Sequence, residues 1–241
     1  MATKNWNAGI IRPVPVAPAG PYQDGAAPGV WTLDQVAYWS KQGLWPVAGN
    51  AAPYGLFGGG SGLNVIDKIV IGTSGNAVDF GDLSGLGVSA AAGSNTRGIF
   101  FGVGSGNTIE YVTFATSGNA VDFGDLLTTS AQGAAGSNYV RSVLAIGNNG
   151  VNVNTINYVT AASTGNAIYF GDLSQTRRSM QASNSSTRLC YGGGFAGTLA
   201  TPFNTIDYIT IASTGNATDF GDLTVARYYV ASGNCASSTR G

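Results

Sequence analysis

From residue 54 onward, apolar and polar residues alternate in short runs bounded by glycine. The run IDYITI (206–211) and its relatives show the two-residue period of a β-strand. A second run, of the form NAxDFGDL, follows each of them through Ser/Thr-Gly-Asn, a tight-turn signal because Gly and Asn tolerate positive φ. A third strand type, VARYYVAS (225–232), is expected to lead into a fourth such as TRGIFFGVG (96–104) or TRLCYGGG (187–194). The pattern changes period only near the start. There Leu33, Val36 and Ala37 recur at helical spacing, Thr32 with Gln35 forms a capping box, and Gly43 supplies a stop, which predicts one short helix over 33–42.

The strand pattern repeats four times, as NVIDKIVIGTSGNAVDFGDL, NTIEYVTFATSGNAVDFGDL, NTINYVTAASTGNAIYFGDL and NTIDYITIASTGNATDFGDL, starting at Asn64, Asn107, Asn154 and Asn204. The distance from that Asn to the Gly of GDL never varies, so all length variation falls outside the two matched strands. A constant core with variable connections marks stacked supersecondary units, and four strands in 43–50 residues fit the blade of a kelch-like or WD-like propeller. The repeat enters at Tyr54 in the phase of the strand beginning at Arg97, and STRG (238–241) falls in that same phase. The expectation is an all-β, kelch-like β-propeller of about four four-stranded blades. Its ring would be closed by a C-terminal strand (about 225–236) that supplies what the first unit lacks. An open four-sheet stack, or a ring completed by other subunits, fits the same pattern.

Composition divides the 241 residues in two. All four Trp and seven of the eight Pro precede residue 54, which predicts a Pro/Trp-rich N-terminal attachment arm (1–53) and a repeat domain (54–241). The prolines of RPVPVAPAGPYQDGAAPG favour an extended path without internal hydrogen bonds. An extended arm and a helix of two to three turns have little to bury by themselves, so docking onto another surface is their natural use. The net charge of −1 argues against a nucleic-acid partner, and the lack of any His excludes imidazole nucleophile systems and His-ligated metal. Two Cys are too few for a zinc site or a disulfide framework, so no metal and no cofactor are expected. No window is apolar enough to span or enter a membrane, and MATKNWNAGI lacks the apolar core of a signal peptide, which points to synthesis in the cytoplasm.

The repeat phrases, SSTRG and the Gly-Gly-Gly ending of YGLFGGG resemble the kelch-like repeats of virion proteins of tailed bacteriophages, especially phages of marine and freshwater cyanobacteria. PGVWTLDQVAYWSKQGLWP (28–46) is similar to a short connector in such proteins, so the resemblance extends over 28–241. It implies a virion structural component of a tail fibre, tail or surface appendage. The implied partners are other virion proteins, reached through residues 1–53. Trp6, Pro13, Pro15, Trp31, Trp39 and Trp45 are the candidate docking residues. Fibres are commonly trimeric, so a homo-oligomer is expected with it. The copper chemistry of galactose-oxidase-type kelch propellers does not carry over, because it needs histidines.

Ten of the twelve acids are locked to the repeat. A ring of Asp82, Asp125, Asp172 and Asp222 could capture a hard cation, but each Asp accepting backbone N–H groups in its own turn is the favoured reading. A glycosidase needs a unique pair of carboxylates, and symmetric acids do not supply one. The expectation is therefore a non-enzymatic protein, with a polysaccharide depolymerase and a capsid decoration or tail adaptor protein as alternatives. Arg177, Arg178, Arg188 and Arg227 read as a solvated patch or as Arg–Asp ties between blades. The connections that depart from the repeat, NNGVNV (148–153) and FAGTLATPF (195–203), are the candidate receptor-facing loops. Asn148, Asn149, Asn152, Phe195, Thr198, Thr201 and Phe203 have side chains suited to hydrogen bonding and stacking on a host-surface glycan.

Overall fold

Glycine and Asn at the turns cut the repeat region into antiparallel strands, each paired with its neighbour in sequence. A computed structural model describes residues 5–6, 9–10, 32–41 and 54–228, except 61, 72 and 198–200. The chain separates into two units, Met1–Ala52 and Pro53–Gly241.

In the first unit, β1 (Asn5–Trp6) pairs antiparallel with β2 (Gly9–Ile10), and α1 spans Leu33–Lys41. The capping box closes the start of α1 from both sides. The Thr32 N–H donates to Gln35 Oε1 at 3.0 Å, and the Gln35 N–H donates to Thr32 Oγ1 at 3.3 Å. Two of the four N–H groups that a helix start leaves open are thereby satisfied.

The second unit is a succession of antiparallel sheets. Sheet I contains β3 (Tyr54–Gly60), β4 (Leu63–Val70) and β5 (Val78–Asp82). Sheet II contains β6 (Ala90–Gly93), β7 (Arg97–Phe101), β8 (Thr108–Thr113) and β9 (Val121–Asp125). Sheet III contains β10 (Ala134–Ser137), β11 (Arg141–Ala145), β12 (Thr155–Thr160) and β13 (Ile168–Asp172). Sheet IV contains β14 (Gln181–Asn184), β15 (Arg188–Gly192), β18 (Thr205–Thr210) and β19 (Thr218–Asp222). A two-residue ribbon of β16 (Phe195–Ala196) and β17 (Thr201–Pro202) is inserted between β15 and β18.

The third strand type is shorter and later than expected. Residues 225–228 lie in the connection after β19. In the repeat register the segment that matches β6, β10 and β14 is 231–234, which lies outside the described residues, as does any strand closing a ring.

The core lies between sheets. The forward face of sheet II (Ile99, Phe101, Ile109, Phe123) packs on the rear face of sheet III (Leu144, Ile146, Val159, Ala161), and sheets III and IV repeat this with Val143 and Ile156 against Leu189 and Ile209. Sheet I meets sheet II through Ile66 and Phe80 against Phe100 and Val112. Middle sheets are thus buried on both faces, which is why their strands carry apolar residues on both sides of the alternation.

Candidate functional site

The Ser/Thr-Gly-Asn turn does more than reverse the chain. Each of the last three lies along the outer strand of the preceding sheet and hydrogen-bonds to it. Gly118 N–H donates to Phe80 O (2.7 Å), Ala120 N–H to Asp82 O (2.8 Å), and Asn119 Oδ1 accepts from Asp82 N–H (3.1 Å). Gly165, Ala167 and Asn166 repeat the three bonds on Phe123 and Asp125, and Gly215, Ala217 and Asn216 repeat them on Phe170 and Asp172. The turn lies against the glycine of Phe-Gly-Asp. A Cβ on Gly124 would come within 2.5 Å of Gly165 O, and one on Gly81 or Gly171 would overlap the equivalent carbonyl.

The fourth residue of each repeat provides a second element of the joint. Glu110 accepts the Ser84 N–H at 3.1 Å and bonds the Ser84 hydroxyl. Asn157 Oδ1 accepts the Leu127 N–H at 3.2 Å. Asp207 Oδ2 accepts the N–H of Ser174 at 3.1 Å and its hydroxyl at 2.9 Å. Each acceptor takes the N–H of the second residue of the linker leaving the preceding sheet, the first being bonded within its own sheet.

Asp207 also meets Arg177 at 2.8 Å, with both side chains fully buried. The guanidinium donates further to Gly193 O, Thr205 O and Tyr191 O. Burial pulls the Arg177 pKa down, opposed by the neighbouring Asp207 charge. Burial pushes the Tyr191 phenol far above its ordinary range despite that cation. This is the Arg–Asp tie between sheets, one of the two roles the sequence left open for these arginines. Arg97 and Arg141 form another tie. Each stacks on a tyrosine of its own sheet and donates across the joint, Arg97 to Ala161 O (3.0 Å) and Arg141 to Ile211 O (3.1 Å).

Among the described residues, no three Cys, Asp or Glu side chains converge at metal-binding distance. Asp79 and Asp219 each accept the N–H of the glycine two residues on, at 3.1 and 3.0 Å. Asp172 instead accepts the Tyr169 hydroxyl at 2.8 Å, which raises the phenol pKa.

The connections between the second and third strands all leave one edge of the sheets and lengthen along the series, from 61–62 through 102–107 and 146–154 to 193–204. In the third of these, the polar side chains largely hold their own loop. Asn148 Nδ2 donates to Asn152 Oδ1 (3.3 Å), Asn149 Nδ2 donates to Thr128 Oγ1 (3.3 Å), and Gly150 N–H donates to Asn148 Oδ1 (2.9 Å). Val151 is exposed in that loop, at 66%. In the fourth loop, Thr201 is exposed and Phe203 half-buried. Phe195 corrects the sequence reading. It is buried, with the Tyr228 ring at 4.9 Å and the Arg178 guanidinium at 4.7 Å, so it anchors the ribbon and is not presented. Thr198, Pro13, Pro15, Trp31 and Trp45 lie outside the described residues, as do the side chains of Trp6 and Trp39.

Sequence reasoning missed the Asn of the turn as an inter-sheet acceptor. The signal was present, since a turn needs Gly and Asn only for their backbone, whereas all four units keep them in one order.

No protein-family model matches the chain, and no curated protein matches it. Among solved structures, the chain is similar to YjhT, a kelch-like β-propeller, with a TM-score of 0.61 at 9% identity. The match covers 76% of this chain and 65% of that one. The likeness is one of fold.

Proposed function

We propose that the chain is a structural component of a tailed-phage virion, of the tail-fibre or surface-appendage kind. Residues 1–53 dock it to the particle, and the four-sheet unit presents its lengthened loops to a host-surface glycan. Residues 231–234 would add the inner strand that a three-stranded first sheet lacks, in a kelch-like ring completed with another subunit. The observation that carries the receptor role is the growth of successive connections on one edge of an otherwise constant scaffold. Variable loops on rigid sheets are where binding residues concentrate. The resemblance of the repeat phrases to virion proteins supports the particle, and the acids held in joints and turns favour binding over catalysis.

The test is binding of labelled full-length protein to cyanobacteria and other host-range cells, before and after periodate oxidation of surface glycans. Saturable binding that oxidation abolishes, and that Val151→Asp or Thr201→Arg weakens without lowering the melting temperature, is the expected result. No binding even in multivalent form, or binding unaffected by both loop variants, would overturn the glycan role. It would leave a decoration or adaptor protein as the better account.

A further inference from the structure

We propose that the forward face of sheet IV is a socket for sheet I of a second copy of this chain, so that copies associate head to tail. This rests on the joints alone and not on the virion role.

Each end of the series carries half of a joint. At the sheet IV end, Phe220 is 56% exposed, whereas Phe80, Phe123 and Phe170 in the same register are each 2% exposed. Gly221 keeps the positive φ of its counterparts (+133°, against +148°, +142° and +157°), yet a Cβ there would touch nothing within 4 Å among the described residues. Its backbone thus keeps the shape on which the next sheet's turn is seated at Gly81, Gly124 and Gly171. At the sheet I end, the turn containing Gly75, Asn76 and Ala77 has the sequence used in the joints and lies exposed. Ile71 is 68% exposed, whereas its counterparts Ala161 and Ile211 are buried.

The polar halves match as well. Thr224 stands where Ser174 stands, and Arg227 where Arg177 stands. Asp67 stands where Asp207 stands and is exposed, with no ion pair or hydrogen bond from its carboxylate among the described residues. By the geometry of the sheet III–IV joint, Arg227 and Thr224 of one copy would hold Asp67 of the next. Arg188, stacked on Tyr208 at 4.7 Å as Arg141 is on Tyr158, would donate to Ile71 O.

The likeness to YjhT covers only 65% of that chain, and the half that matches the sheet IV end in turn sequence and in charge is the sheet I end, which puts a second copy of this chain there. The two halves of the joint differ, so the contact is heterologous and can propagate from copy to copy.

Sedimentation of the full chain over a concentration series tests this, together with Asp67→Arg, which spoils the sheet I half, and Arg227→Glu, which spoils the sheet IV half. Both residues are exposed, so neither change threatens folding. Gly221→Val serves as a second block of the socket. Wild type is expected to grow in mass with concentration, and each single variant to associate at least about 30-fold more weakly. An equimolar mixture of Asp67→Arg and Gly221→Val should recover dimers, since each brings the intact half the other lacks. Wild type that stays monomeric overturns the inference, as do single variants that associate like wild type. A monomer that Asp67→Arg destabilises and Asp67→Arg/Arg227→Asp restores would locate the contact within one chain, and also overturns it.

Discussion

Gly124 and Gly221 occupy the same register position with nearly the same backbone, φ +142° and +133°, and differ in what lies beside them. Gly124 is covered by the turn of sheet III, and Gly221 is open. Substituting alanine at each therefore separates backbone strain from the joint. The strain of a side chain at such a φ costs about 1–3 kcal/mol and applies to both. At Gly124 the new Cβ would lie 2.5 Å from Gly165 O, so either the sheets part or the turn lifts. Overpacking of this kind adds about 1–3 kcal/mol. A lifted turn also gives up bonds such as Gly165 N–H to Phe123 O, at about 1 kcal/mol each. Gly124→Ala should therefore cost at least about 2 kcal/mol more than Gly221→Ala. At about 2–4 °C per kcal/mol for a domain of this size, the difference is about 4–8 °C in melting temperature. Calorimetry on dilute protein, where self-association does not contribute, gives the comparison. Equal losses at the two positions would refute the account of the glycine as a seat for the next sheet's turn.

Two further outcomes follow from the third joint. Asp207→Ala should destabilise by about 3–5 kcal/mol because it strands the buried Arg177, while Arg177→Met/Asp207→Leu should approach wild-type stability in urea unfolding. Burial raises the Cys190 thiol pKa, with Arg188 opposing. The folded state thus favours the neutral thiol, and its contribution is full below the unfolded pKa and lost as pH rises through the higher folded value. In a Cys235→Ser background, alkylation at pH 8 should be slower for native than for unfolded protein, with the gap narrowing as pH rises; equal rates at pH 8 would contradict it.

Features governed by local chemistry were legible in the sequence. The helix start follows from Thr32 and Gln35, and the strands from the period-two runs. The close approach at the glycine-rich strand ends also follows, since a Cβ on Gly58 would lie 2.5 Å from the Phe100 ring. Features that depend on which sheet faces which were not legible. Phe195 sits in a polar, loop-like stretch, and nothing nearby in sequence announces Tyr228 and Arg178 as its packing partners. The third strand type was placed too early because the apolar residues at 225–228, which lie in the connection after β19, have the composition of a strand. Closure was beyond reach for another reason. It depends on a small rotation per sheet, and the repeat leaves that rotation unmarked.

Near-identical repeats carry the risk that sheets dock in the wrong order, a recognised failure of repeat proteins. The joints differ at the one position where a mistake would be costly. Glu110 meets Ser84 at the first, Asn157 meets Leu127 at the second, and Asp207 meets Ser174 with Arg177 at the third. The residue in register with Arg177 is Gly87 in the first linker and Ser130 in the second, so among the three joints the cation occurs only opposite the carboxylate of the third, Asp207. If the Arg177 linker docked against sheet III, it would bury its charge beside Asn157 without an anion, a loss on the scale of a broken buried pair. If the Ser130 linker docked against sheet IV, it would leave Asp207 without its cation. The apolar contacts and the turn bonds are common to every joint and supply cohesion, while this one polar position distinguishes the neighbours. Arg227 and Asp67 extend the same code past the last sheet. That makes a sheet I, with its exposed Asp67, a matching partner for the socket of sheet IV, and makes sheet III, with Asn157 at that position, a poor substitute.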